Sequence, residues 1–206
     1  QKTTKCYLDL HGGQAQPGTN NVVGLSPDGD GTVVIPDNAT FPGDFRIMKP
    51  RDMLLLEDGR LVLTSSEQDH SGLFLFGPPN WQGRRAFLDA LALESRENPL
   101  LSHPYGMTRG PDGSIYVSCQ DSSTVLRYGN PLSTRSGEPL TAWPKVGPGC
   151  WIPPHKHHKH GLHAPRGIAF GWDGHLYVSD RDKGVSAWDK EGRFVRIVAD
   201  KHSGLV

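Results

Sequence analysis

The chain has 206 residues, 35% of them hydrophobic and 21% charged, with 22 Lys plus Arg against 22 Asp plus Glu and a formal net charge of zero. That balance gives no electrostatic reason to expect nucleic acid or an anionic membrane surface as the main partner. No window approaches the roughly 18 consecutive apolar residues of a bilayer-spanning helix, and the 25 glycines and 17 prolines are too aperiodic for collagen but numerous enough to mean many tight turns.

In chain order, Thr4 to Leu10 reads as an outer strand completing a preceding sheet. Val22 to Leu25, Ser26-Pro27-Asp28-Gly29 and Thr32 to Ile35 read as a degenerate strand–turn–strand. Asn38-Ala39-Thr40 is a glycosylation sequon, a short motif common by chance. From residue 48 one pattern recurs three times. It runs Pro50…Asp58-Gly59-Arg60-Leu61-Val62-Leu63-Thr64, then Pro104…Asp112-Gly113-Ser114-Ile115-Tyr116-Val117-Ser118, then Pro165…Asp173-Gly174-His175-Leu176-Tyr177-Val178-Ser179. In every copy the Asp-Gly lies eight residues after the proline and a hydroxyl residue lies fourteen after it, while the prolines stand 54 and 61 residues apart. Fixed internal spacing at such periods is the mark of a repeat architecture.

Each unit predicts antiparallel strands. A short apolar run follows the proline, and the Asp-Gly closes a hairpin because glycine takes positive φ and aspartate bonds its own backbone. A second strand follows (Leu61–Leu63, Ile115–Val117, Leu176–Val178), and then a third that ends in an aromatic: Phe76, Tyr128 or Trp188. In the last copy Asp189-Lys190-Glu191-Gly192 turns into a fourth strand, Arg193 to Val198. Between the first two copies, Phe87 to Glu94 is compatible with a short helix, and Arg84 to Leu88 equally with a fourth strand. Four antiparallel strands in a meander make one propeller blade. The expectation is therefore an all-β β-propeller of four-stranded antiparallel blades, a partial ring of about three to four. Its parts are a partial or degenerate blade over 1–47, blades over 48–102, 103–147 and 163–206, and a His-rich inter-blade insertion over 148–162.

The copies resemble NHL-type β-propeller repeats, whose pattern reads Pro-x-Gly-[Ile/Leu]-Ala…Asp-Gly-x-[Ile/Leu]-Tyr-Val-[Ala/Ser]-Asp. Pro165 to Asp180 matches closely. Cys119 replaces the final aspartate in the second copy, and Asp52 and Ser65 depart from the pattern in the first. Lys183 and Val185 stand where the family prefers Asn and Arg. The related senescence-marker/gluconolactonase propellers share this hairpin grammar. The resemblance covers about residues 48–200 and implies a ring of about six blades, of which this chain is about half. His202-Ser203-Gly204-Leu205-Val206 is similar to the lead-ins of the repeats, and the chain opens on Gln1 without a signal segment. Both features suit a piece of a longer protein. Processing of a secreted precursor accounts equally for Gln1, and the compartment leans extracytoplasmic.

Candidate chemistry sits where blades would converge. The residues directly after the repeat prolines are Arg51, Tyr105 and Arg166. At the start of channel-lining strands they would meet at the mouth of the funnel, able to bind a carboxylate or phosphate or to serve as inter-blade packing. In lactonase and lyase relatives such channel residues act in catalysis. Loops after the second strands hold Asp69, Asp121 and Asp180, together with Glu67, His70, Gln120, Arg181 and Asp182. Jointly they could hold a divalent cation such as calcium, while the resemblance gives Asp180 a structural job, tying its own hairpin. His155-Lys156-His157-His158-Lys159-His160-Gly161-Leu162-His163 offers imidazoles, with His157 and His160 as weak candidates for zinc; an exposed loop between Gly147-Pro148-Gly149 and Pro153-Pro154 is the competing reading. Cys6, Cys119 and Cys150 show no CxxC spacing, and a Cys119–Cys150 bridge stays open. No GxSxG, P-loop or HExxH is present. The reading is a scaffold binding a protein or small-molecule ligand at its funnel face. The alternative is a metal-dependent lactonase, hydrolase or lyase. An adhesion component is a third class, without a motif of its own.

Overall fold

The computed structural model describes residues 47–67 and 70–200, together with the strands β1 (Lys5–Leu8), β2 (Val22–Leu25) and β3 (Gly31–Ile35). Every regular element described is a strand. The first sheet, β1-β2-β3, contains the two strands expected over Val22 to Leu25 and Thr32 to Ile35, the turn between them lying outside the described residues, and β1 pairs with β2 inside this sheet rather than completing a preceding one. Three four-stranded antiparallel sheets follow. One is β4 (Pro50–Leu55), β5 (Leu61–Ser65), β6 (Gly72–Pro79) and β7 (Arg85–Leu93). The next is β8 (Pro104–Arg109), β9 (Ile115–Cys119), β10 (Thr124–Tyr128) and β11 (Cys150–Ile152). The last is β12 (Pro165–Phe170), β13 (Leu176–Asp180), β14 (Gly184–Trp188) and β15 (Phe194–Ala199).

Two ambiguities of the sequence are decided here. Residues 85–93 form a strand, not a helix, and β11 lies inside the stretch 148–162 that the sequence assigns to an insertion. The intervening 129–149 loops out and returns, so that Cys150 and Ile152 pair with Leu126 and Val125. Among the described residues no helix is long and apolar enough to cross a membrane.

The repeat pattern has a physical explanation at each end of the hairpin. At the far end Gly59, Gly113 and Gly174 take φ of 85°, 79° and 78°, the left-handed region that costs a side-chain-bearing residue about 1–2 kcal/mol. The aspartate before each accepts the amide two residues on: Asp58 from Arg60 at 3.1 Å, Asp112 from Ser114 at 3.1 Å, Asp173 from His175 at 3.2 Å. At the near end every inner strand carries a bulge. Pairing passes from Pro50↔Ser65 to Met53↔Leu63, from Pro104↔Cys119 to Met107↔Val117 and from Pro165↔Asp180 to Ile168↔Val178, three steps on one strand against two on the other. The hydroxyl fourteen residues after the proline fills each bulge. Thr64 Oγ1 accepts from Asp52 N at 2.9 Å, Ser118 Oγ from Gly106 N at 2.8 Å and Ser179 Oγ from Gly167 N at 2.9 Å.

The sheets stack face to face, so alternate residues of one strand enter different cores. Leu61 and Leu63 of β5 join Ile35, Ile47, Phe74 and Phe76, while Val62 joins Leu73, Leu75, Met107, Ile115, Val117 and Tyr128 between the next two sheets. Tyr116, Val125, Trp151 and Ile152 meet Leu176, Val178 and Trp188 in the third. The aromatics ending the third strands, Phe76, Tyr128 and Trp188, are fully buried, as their position predicts. Cys119 and Cys150 are free, buried thiols in the middle core; burial pushes Cys150 up to about 12.

Inner strands approach closely. Ser118 Oγ lies 2.5 Å from the Arg166 carbonyl, and a Cβ on Gly106 would meet that same oxygen at 2.2 Å. Asp52, which replaces the repeat glycine in the first copy, reaches forward instead: its Oδ2 accepts Met107 N at 2.7 Å and its Oδ1 accepts Met53 N at 2.8 Å. Burial raises this carboxyl against the opposing pull of the two amides.

Gly106 and Gly167 occupy one repeat position in different surroundings, for at Gly167 an added Cβ meets only Ser179 Oγ, at 2.9 Å. In urea unfolding, Gly106→Ala should cost about 2–3 kcal/mol through the backbone clash, and Gly167→Ala less than about 1 kcal/mol. Equal costs would show that the approach of β8 to β12 is not what holds the second and third sheets together.

Candidate functional site

The bulges place the three residues after the prolines side by side. Two guanidinium groups lie over the Tyr105 ring, with Arg51 Cζ 5.2 Å and Arg166 Cζ 5.1 Å from its centroid, distances at which cation–π attraction operates. His103 stacks parallel to Tyr105, with centroids 6.2 Å apart and planes inclined by 10°. Each arginine is steadied through Nε by a neutral acceptor: Arg51 by Ser66 Oγ at 3.2 Å and Arg166 by Gln120 Oε1 at 2.9 Å. Among the described residues neither guanidinium pairs with a carboxylate. Both arginines are half-buried, and among the described residues their terminal nitrogens make no hydrogen bond.

Beside this trio lies a polar cavity of about 450 Å³, lined by Lys49, Ser66, Glu67, Ser71, Glu94, Ser102, His103 and Asp121. It opens between the first two four-stranded sheets, where the entry to β8 meets the loop after β5. Lys49 and His103 immediately precede their prolines and take φ of 49° and 52°, a strained left-handed backbone for residues with side chains. Lys49 Nζ pairs with Glu67 at 2.5 Å, and His103 Nδ1 lies 3.4 Å from Asp121 Oδ2. Glu94 Oε2 and His103 Nε2 are buried without hydrogen-bond partners. Burial holds the His103 imidazole below its ordinary value, Asp121 opposing this and Arg51 and Lys49 reinforcing it.

Of the residues the sequence singled out, Arg51, Tyr105 and Arg166 are brought together, and Asp121 joins them through His103. Asp180 stands apart. It is buried, and its Oδ2 accepts His163 N at 2.7 Å and Ala164 N at 3.1 Å while its Oδ1 accepts Asp182 N at 2.9 Å, which ties down the loop entering β12. Asp69 lies outside the described residues. His157 is exposed and His160 stacks on Phe194 at 3.9 Å. The loop they share is packed more than its composition suggests, with His155 on His163 at 3.7 Å and His158 edge-on to Trp143 at 5.6 Å. Among the described residues no three His, Cys, Asp or Glu side chains assemble to hold a metal ion. Asp180 is occupied by backbone amides, and Glu67 is engaged by Lys49.

Sequence reading passed over His103, Lys49 and Glu94. The first two carried a signal, since both directly precede a repeat proline. Glu94 carried none, because it reaches the cavity through the pairing of β7.

The fold is that of known β-propellers. The chain is similar to a gluconolactonase from Xanthomonas campestris, with a TM-score of 0.54 and 18% identity over 85% of this chain and 54% of that one. It is similar also to regucalcin, a calcium-binding protein from Agrobacterium tumefaciens (TM-score 0.55, 16% identity, 85% and 52% covered). A streptogramin B lyase gives a TM-score of 0.53 at 14% identity, with 85% and 46% covered. The chain thus spans about half the length of these structures, and at such identities the likeness shows the fold alone. No protein-family model matches the chain, and no curated protein matches it in sequence.

His103, His160 and His163 are all lowered, burial being the largest cause in each. The unfolded chain therefore takes up protons first, at the ordinary histidine value of about 6.5. Stability should be full above that pH and decline as pH falls through it toward the folded values. Urea midpoints should accordingly drop between about pH 7.5 and 5.5, and His103→Gln should flatten part of the slope; an unchanged slope in that variant would place His103 in water, not in the wall of the cavity.

Proposed function

We propose that this propeller segment is a binding scaffold whose funnel face captures an anionic group, a carboxylate or a phosphate, on a small-molecule or protein ligand. The observation that carries this reading is that Arg51 and Arg166 both lie over the Tyr105 ring, with neither arginine paired to a carboxylate among the described residues. The ring holds both cations near one another, and a guanidinium presents paired N–H donors suited to two oxygen atoms. Ser66 and Gln120, on different sheets, hold the forks in place before any ligand arrives, which lowers the entropic cost of binding.

The second reading is a metal-dependent lactonase, hydrolase or lyase of the gluconolactonase-like or NHL propeller type. Its support is the likeness in fold to a gluconolactonase and a lyase, and the close match of Pro165 to Asp180 to the NHL pattern. What favours binding as the first reading is the pair of arginines beside Tyr105. Lactone turnover that appears with added calcium or zinc and disappears on chelation would favour the second reading.

The direct test is anion binding, followed by amide chemical shifts during titration with acetate and inorganic phosphate. Saturable shifts at the entries to β4, β8 and β12 are expected. Arg51→Gln and Arg166→Gln should each weaken binding about tenfold, the loss of one charge-assisted contact of roughly 1.5 kcal/mol. Undiminished binding in the double variant would remove the arginines from the site.

A further inference from the structure

Resting on the reading of Arg51, Tyr105 and Arg166 as an anion receptor, we infer that the natural ligand is a small zwitterion, its anionic head on the two arginines and an ammonium group in the adjoining cavity. The receptor and the cavity share walls. Ser66, which lines the cavity, accepts Arg51 Nε at 3.2 Å. His103, which also lines it, stacks on Tyr105. Asp121 in the cavity follows directly after Gln120, which holds Arg166. The two compartments are therefore immediate neighbours.

Their charges are opposite. The receptor holds two guanidinium groups and no carboxylate. Among the described residues the cavity sets Lys49 against three carboxylates, Glu67, Glu94 and Asp121, with burial holding the His103 imidazole below its ordinary value. Lys49 pairs with Glu67 at 2.5 Å, and Glu94 and Asp121 are two further carboxylates of the same wall.

The hydrogen-bonding character agrees. With the Nδ1 proton of His103 directed at Asp121, its Nε2 is an acceptor, and both it and Glu94 Oε2 lie just behind the cavity wall without donors. An ammonium offers three donors, and a modest rotation of either side chain brings an acceptor to it. Serine hydroxyls of the wall complete a polar lining. An apolar or purely anionic tail would leave these acceptors unmet and would face the carboxylates. At about 450 Å³ the space suits an amino acid or a similar small molecule rather than a folded partner.

The experiment compares matched ligands on the intact chain at pH 7 and low salt: butyrate, butylamine and γ-aminobutyrate, then caproate and ε-aminocaproate for a longer reach. Affinities are read by chemical-shift titration. At least one ω-amino acid should bind about five- to tenfold more tightly than the fatty acid of its own length, with butylamine weaker than either. In Glu94→Gln/Asp121→Asn that ratio should fall to about one. Equal affinity of amino acid and fatty acid in the unmodified chain, or tighter binding of the fatty acid, overturns the zwitterion while leaving the anion receptor standing. Failure of butyrate, caproate and both ω-amino acids to bind overturns the receptor itself. A ratio that survives the double variant places the ammonium elsewhere and overturns this cavity as its site.

Discussion

A hydroxyl group set into a bulge underlies the rest of this molecule. Where each inner strand leaves its proline, one extra residue breaks the ladder, and a backbone amide would be left without its sheet partner. Such an orphan costs about 1–3 kcal/mol when buried. Thr64, Ser118 and Ser179 meet that amide from the second strand of the same sheet. The bulge then does two things. It bends the strand so that the residue after the proline turns toward the axis, and it brings the next sheet's backbone close enough for Ser118 to touch the Arg166 carbonyl and for Asp52 to hold Met107 N. One device thus sets both the stacking of the sheets and the positions of Arg51, Tyr105 and Arg166.

The stacking itself is apolar. The sheets β4–β7 and β8–β11 each offer side chains to two different cores, and their strands β5 and β9 are buried throughout, while β12–β15 contributes to one. Central strands of this kind read as continuous hydrophobic runs rather than as alternation. The site lies at the open end of this stack, where side chains from neighbouring sheets meet although they are more than fifty residues apart in the chain. Its strain is local: Lys49 and His103 hold left-handed backbones that their residue types disfavour, and both line the cavity.

Much of the fold was legible because turns and hydroxyls obey short-range rules. The Asp-Gly pairs, the strands after them and the buried aromatics Phe76, Tyr128 and Trp188 followed from spacing alone. The fourth strands were less so. β7 has leucine and alanine spacing that also suits a helix, and only pairing with β6 decides between them. β11 is three residues long and comes after a loop of about twenty, so no local signal sets it apart from the histidine-rich stretch beyond it.

Sequence by itself determined the repeat, the hairpin chemistry and the positions that would share one end of the sheets, because these depend on φ, on side-chain reach over two residues and on apolar periodicity. It also presented Arg51, Tyr105 and Arg166 as a set. The packing of the sheets alone brings both cations over the tyrosine ring, commits Asp180 to backbone amides, and makes Lys49, Glu94 and His103 wall one cavity. These are relations across sheets, set by how closely neighbouring blades pack, and no local rule encodes a distance of that kind.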